Sequence, residues 1–287
     1  VNMADEHQDP GVIVGVDGTD TALRAVRWAV TEARSRRLPL TVVHAAPYAT
    51  DPAGRRRAAS ILARGYTVAL RQAPDVKMRT ERLDGQPLRA LLDAADRAAL
   101  MVVGMVGGDH VHDALIGSLA LDLAGRASCP VVVVRGDPPP AGGPVLVGVL
   151  DAATDAAALT AAFADARIHR TRLIALHSGT MAADRLADEL APWRDRFPTV
   201  EVDLRVTDER PIEALLEEAA QARLVVVGAN TRSAPMRVLL GSTSRALVRW
   251  SPCPVAVVSP QVTSIEPELE LPAPARVTEP RDRGELW

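Results

Sequence analysis

Residues 77–136 recur as residues 201–260 at a constant offset of 124 without a gap, and about a third of the paired positions are identical. The pairs include Asp84/Asp208, Pro87/Pro211, Ala90-Leu91-Leu92/Ala214-Leu215-Leu216, Gly104/Gly228, Gly117-Ser118/Gly241-Ser242 and Cys129-Pro130/Cys253-Pro254. The preceding parts align at an offset of 133, matching Gly15 with Gly148 and His44 with His177. The second copy is therefore the shorter one between its second and third strands. A unit of about 125 residues is the size of a domain and can bury its own core, so this is a tandem duplication and not a solenoid. Between the copies runs Arg135-Gly-Asp-Pro-Pro-Pro-Ala-Gly-Gly-Pro144, which can continue neither a helix nor an inner strand. The expected organisation is a flexible N-terminus over 1–10, a first domain over 11–136, a linker over 137–142, a second domain over 143–260 and a Pro/Glu-rich flexible tail over 261–287.

Each copy alternates short apolar runs with amphipathic stretches. Val12–Val16, Leu40–Val43, Val76–Leu83, Leu100–Val103 and Val131–Val134 read as strands. Helices are expected over 22–34, 55–72, 88–98 and 118–127, the first capped by Thr19 or Thr21. Strands apolar on both faces and separated by helices imply a parallel sheet covered on both sides. Each half is then a doubly wound, Rossmann-like α/β domain that takes ligands at the carboxyl ends of its strands. Composition narrows the function. The net charge is −3 and aromatic residues make up 3 %, which argues against nucleic-acid binding. No stretch is long and apolar enough to span a membrane. Two cysteines make no disulfide framework, and no Cys/His set has zinc spacing. A soluble, cytoplasmic protein without a metal centre is expected. Lys77 is the only lysine, so Schiff-base and P-loop chemistry have no other candidate.

The residues suited to ligand binding fall in loops at strand ends. Gly15-Val16-Asp17-Gly18 follows the first strand. Val103-Gly104, Gly107 and then Gly117-Ser118-Leu119-Ala120 follow the fourth. Glycine lets backbone approach a ligand closely, and Gly117-Ser118 is expected to open the fourth helix, where free N–H groups and the positive dipole end attract anions. The spacing of Gly104, Gly107, Gly117 and Ser118, with Val14-Gly15-Val16-Asp17-Gly18-Thr19 upstream and Cys129-Pro130 before the fifth strand, resembles the universal stress protein family, in both halves. The resemblance implies a five-stranded parallel sheet in each half with strand order 3-2-1-4-5. It also implies pairing of fifth strands, here within one chain as a pseudo-dimer, and bound ATP in many members. Gly104, Gly107, Gly117 and Ser118 would then hold the triphosphate, Asp17 would face the ribose or a bound Mg2+, and the backbone at Ala45 would meet adenine.

In the second half Gly148, Ser178, Gly228, Gly241, Ser242, Thr243 and Ser244 occupy the corresponding places, but Leu150 stands where Asp17 does and Thr231 replaces the middle glycine. Arg232 and Arg237 in that loop offer phosphate partners, whereas the first-half loop carries Asp109 and Asp113. The first pocket is the better expected ATP site. His110-Val-His112 reads as a solvated loop, His44 and His177 as structural hydrogen-bonders, and Cys129 and Cys253 as buried, inert thiols. The resemblance implies an ATP-binding stress-response regulator read by an unidentified protein partner, and the absence of a nucleophile elbow, zincin or Walker motif leads to an expectation of little or no hydrolysis. A nucleotide-free interaction scaffold with relic pockets is the alternative, and a homodimer of tandem chains stays open.

Overall fold

The computed structural model describes residues 10–105, 113–136 (backbone alone for 113–118), 142–229, 240–260 and 262. The first half runs β1 (Gly11–Gly15), α1 (Asp20–Arg36), β2 (Leu40–Ala45), α2 (Pro52–Gln72), β3 (Met78–Leu83), α3 (Pro87–Ala95), β4 (Ala98–Gly104), α4 (Asp113–Arg126) and β5 (Val131–Val134). The second runs β6 (Val145–Val149), α5 (Ala156–His169), β7 (Leu173–Ser178), α6 (Ala183–Arg196), β8 (Val202–Thr207), α7 (Pro211–Ala219), β9 (Leu224–Gly228), α8 (Ser242–Trp250) and β10 (Val255–Val258). Most of the length difference inferred from the two offsets lies in α2 and α6, of 21 and 14 residues.

The strands form one ten-stranded sheet in the order β3-β2-β1-β4-β5-β10-β9-β6-β7-β8. Each half thus has the expected 3-2-1-4-5 arrangement, parallel throughout, but the two sheets are continuous. β5 and β10 pair antiparallel, with Val133 opposite Val255 and Val131 opposite Val257. Central strands such as Val131–Val134 are buried on both faces, as their unbroken valines require. The edge strands β3 (MRTERL) and β8 (VDLRVT) instead mix charged and apolar residues, which discourages further strand addition. Helices α1, α2, α5 and α6 cover one face, with Phe163 and Phe197 packed at a ring distance of 5.5 Å. Helices α3, α4, α7 and α8 cover the other.

All four first-half helices depart from the sequence reading by one to five residues at one or both ends, and two of these shifts change what the sequence implied. α3 ends at Ala95, and Ala98 already belongs to β4. α4 begins at Asp113, so Gly117 and Ser118 lie in its second turn and do not open it. The run Asp113-Ala-Leu-Ile116 explains the earlier start, since Asp in a first turn complements the helix dipole and Ala and Leu are strong helix formers.

Where the halves meet on the α1/α5 face, five charged side chains are packed together. Glu32 and Asp165 are only 1 % and 2 % exposed. They occupy equivalent positions of the two copies, as do Arg36 and His169. Arg36 donates to Glu32 through Nε (2.6 Å) and to Asp165 through Nη2 (2.9 Å). His169 Nε2 lies 3.0 Å from Glu32 Oε2. Arg223, whose first-half counterpart is Ala99, donates to Asp165 and reaches within 3.6 Å of Glu32. Burial alone would raise the Glu32 carboxyl, but Arg36, His169 and Arg223 together hold it well below the carboxylate range. Burial and the neighbouring Glu32 charge push Asp165 up to about 6 against the pull of the two arginines. Glu32, Asp165 and His169 offer ligand-type atoms within 4.8 Å of one another. Two guanidiniums already hold the same carboxylates, so the cluster is an ion network and not a cation site.

The end of β4 is pressed against the start of α1. A Cβ on Gly104 would stand 2.8 Å from both the carbonyl carbon and oxygen of Thr21 and 2.9 Å from Ala22 N, all of them backbone atoms. Gly104→Ala is expected to cost on the order of 1–3 kcal/mol, measured by urea denaturation. An unchanged midpoint would mean that α1 can move aside freely.

Candidate functional site

The strand order reverses between β6 and its neighbours β7 and β9, so a crevice opens beyond their carboxyl ends. There the second half forms a cavity of about 390 Å³, a volume suited to a small ligand. Its lining includes the apolar Val149, Leu150, Leu176, Pro211, Leu215 and Val227. Gly148, Ser178, Gly228, Gly241, Ser242, Thr243 and Ser244 line it too, as does Asp155. All seven candidates from the second half are therefore brought together.

Gly241 is the N-cap of α8 and caps it with no side-chain bond. The first intrahelical bond runs from Arg245 N to Gly241 O (2.9 Å). The N–H groups of Ser242, Thr243 and Ser244 consequently have no partner within the helix, as at any helix start, and here all three residues line the cavity. The Ser244 hydroxyl donates to Gly228 O (2.8 Å), fastening α8 to the end of β9. Its proton is thereby committed to the backbone. The Ser178 hydroxyl likewise donates to Glu209 O. These two serines thus shape the cavity, and the donors facing an anion there are the main-chain amides of the α8 start with the hydroxyls of Ser242 and Thr243.

Two histidines hold the loops after the first strand of each half. His177 Nδ1 donates to Val149 O (3.0 Å), and His44 Nδ1 donates to Val16 O (2.6 Å). His44 is further tied to Tyr48 Oη at 2.7 Å. The expected structural role is seen, and it falls on the loops that carry Gly148-Leu150 and Gly15-Asp17.

In the first half Gly15, Val16, Asp17, Gly18 and Ala45 come together at the ends of β1 and β2, next to Val103 and Gly104 at the end of β4. Asp17 is exposed, and its Oδ1 accepts from both the N–H (2.9 Å) and the hydroxyl (2.6 Å) of Thr19, the N-cap of α1. Its carboxylate therefore organises the helix start. Gly18 has φ +92°, a backbone that side chains rarely adopt, and Ile61 packs over it. Gly107 lies outside the described residues. Gly117 and Ser118 belong to the body of α4, whose following residues Leu119 and Ala120 are half-buried and buried. The expected anion site at the opening of α4 is thus displaced, whereas its counterpart at α8 keeps the helix start.

Sequence reasoning missed Asp155, which is buried and whose carboxylate accepts from Leu150 N (2.7 Å). Burial pushes its carboxyl up to about 6, with the Asp151 charge adding to the backbone-opposed shift. The signal was available: Asp155 aligns with Ala22, so a charge enters this copy just where the nearby Asp17 equivalent is lost.

The profile of the universal stress protein family matches residues 11–135 and 178–259. A universal stress protein of Mycobacterium tuberculosis is 30 % identical over 298 aligned residues, covering 91 % of this chain and 100 % of that protein. One from Mycolicibacterium smegmatis is 34 % identical over 294 residues, covering 90 % of this chain and 100 % of its own. The crystal structure of a universal stress protein from Archaeoglobus fulgidus has the same fold, with a TM-score of 0.71 at 18 % identity over 88 % of this chain and 97 % of that one. The stretch left between the two matched segments, 136–177, contains Leu150 and Asp155.

Proposed function

The chain belongs to the universal stress protein family, and from that premise we propose that it is a stress-response regulator that binds ATP with little or no hydrolysis. The observation that carries this reading is the second-half cavity, whose lining combines apolar side chains suited to an adenine ring with the start of α8, where three amides have no partner among the described residues. Amides arranged in this way bind phosphate through the backbone and need no lysine. Little or no turnover fits a sequence that carries no Walker or nucleophile-elbow motif. The first-half crevice, with the closer match to the glycine spacing, is the second place for a nucleotide. The protein works in the cytoplasm on this reading. Its two cysteines suit a reducing compartment, being buried thiols pushed up to about 12 (Cys129) and about 11 (Cys253).

The test is direct. Purified protein is denatured and removed, and the supernatant is examined for adenine absorbance and an ATP peak. Stoichiometric nucleotide is the expected result. Added ATP with Mg2+ at 100 times its dissociation constant is expected to raise stability by about 2.7 kcal/mol, read as a shift in the melting curve. No released nucleotide and no shift would instead identify a nucleotide-free scaffold.

A further inference from the structure

Among the described residues lining the second cavity, Asp155 is the one ionisable group. It is 6 % exposed, and its carboxylate is fixed by the Leu150 amide. No arginine or histidine is bonded to it among the described residues. In its own loop Asp151 is a further negative group, engaged with Thr154 N at 2.8 Å. On α6, Glu189 accepts from Ala152 N (3.2 Å) and is paired with Arg185. On β7, His177 has its Nδ1 committed to Val149 O. On α7 the cation Arg210 is paired with Glu213 at the surface, and on α8 the nearest ionisable residue is the exposed Arg245. An anion drawn in by the α8 amides therefore meets a buried carboxylate with no cation bonded to it among the described residues; Arg232 and Arg237, in the loop before α8, lie outside them. Two negative groups in one crevice are both kept only if one of them is neutralised.

We propose that anion binding in this cavity is coupled to uptake of one proton by Asp155, whose protonated carboxyl then donates a hydrogen bond to the ligand phosphate. Asp155 is thus the residue that makes the second site favour acid. The inference rests on the nucleotide reading of this cavity and names the control that acts on it. The proton comes from solvent and forms an O–H bond on Asp155 Oδ1, no bond between heavier atoms changes, and the Leu150 amide keeps its acceptor, Oδ2. The elevated carboxyl of the empty cavity, about 6, leaves Asp155 close to taking that proton. With one proton linked to binding, affinity changes by about tenfold per pH unit above that point.

The experiment compares the full chain with Asp155→Asn, which imitates the protonated side chain and can still accept from Leu150. ATP titrations are run by calorimetry between pH 5.5 and 8, with Mg2+ and with EDTA, in buffers of different ionisation heat. Titration of ATP itself affects both proteins equally and cancels in the ratio. The two proteins are expected to bind alike near pH 5.5. At pH 8 the variant is expected to bind at least tenfold more tightly at the second site, and the wild type to take up about one proton more than the variant near neutral pH. Equal pH dependence and equal proton uptake would overturn the proposal. So would weaker binding by the variant, which would make the ionised carboxylate an acceptor for ligand hydroxyls. Wild-type binding that matches the variant on addition of Mg2+ alone, without proton uptake, would assign the neutralisation to the cation. Absence of ATP binding by both proteins under every condition would instead sink the nucleotide reading itself.

Discussion

Arg223→Ala is expected to lower the unfolding free energy by about 3–5 kcal/mol, because it leaves Glu32 and Asp165 buried with Arg36 as their only arginine. In a chain of this size that is a fall of roughly 10 °C in Tm, readable by calorimetry or circular dichroism. The substituted residue is the one the first half carries at the equivalent position, Ala99, so the backbone tolerates it. The pH dependence identifies the cause. Asp165 has its folded value raised to about 6, above its unfolded value, so its contribution is full in acid and is lost as pH rises through about 6. Removing Arg223 takes away one of the charges that pull Asp165 down, and the carboxyl moves further up. The deficit of the variant is therefore expected to be smaller at pH 5 than at pH 8. A deficit independent of pH would assign the loss to packing of the arginine stem. Glu32 has the opposite sign, its folded value being held low, and its contribution is lost only as pH falls below the ordinary carboxylate range.

Gly241→Val is expected to weaken ATP binding at the second site by about 100-fold or more while leaving the unliganded Tm nearly unchanged. Gly241 has φ −58° and ψ 160°, a conformation open to any residue, so valine imposes no backbone strain. A branched side chain at the cap is expected to crowd the first-turn amides of α8 and keep a phosphate from them. Losing two hydrogen bonds to a charged group, at about 1.5 kcal/mol or more each, gives that magnitude. Retained affinity would show that the anion lies elsewhere, and a large fall in Tm would show that the glycine serves the fold.

The alternating strands and helices, the covered parallel sheet and the crevices at the strand ends could be read from the chain because the same pattern is written twice, whereas the strand order came from the family resemblance. Two copies with valine-rich strands and matching glycines constrain the fold more than either does alone. The start of α4 could not be read this way. Gly117-Ser118 looks identical to Gly241-Ser242, yet upstream Asp113-Ala-Leu-Ile116 extends the helix backward. Local helix propensity overrode the motif. Gly104 was read as making room for a ligand, but the place of its absent Cβ is taken by the Thr21 backbone, a contact between segments that pattern alone does not reveal. The ion network was hidden for a related reason. Glu32 and Arg36 have the spacing of an ordinary surface pair on a helix, and only the joining of the two halves brings Asp165, His169 and Arg223 against them.

The antiparallel seam between β5 and β10 decides which way the molecule faces. All strands of one half run counter to those of the other, so their carboxyl ends lie on opposite rims of the shared sheet. The two mouths therefore open back to back, at least a strand length of roughly 15 Å apart. No single small molecule can touch both. A protein that reads occupancy at the two poles must either reach around the rim or dock as two separate copies, one at each end.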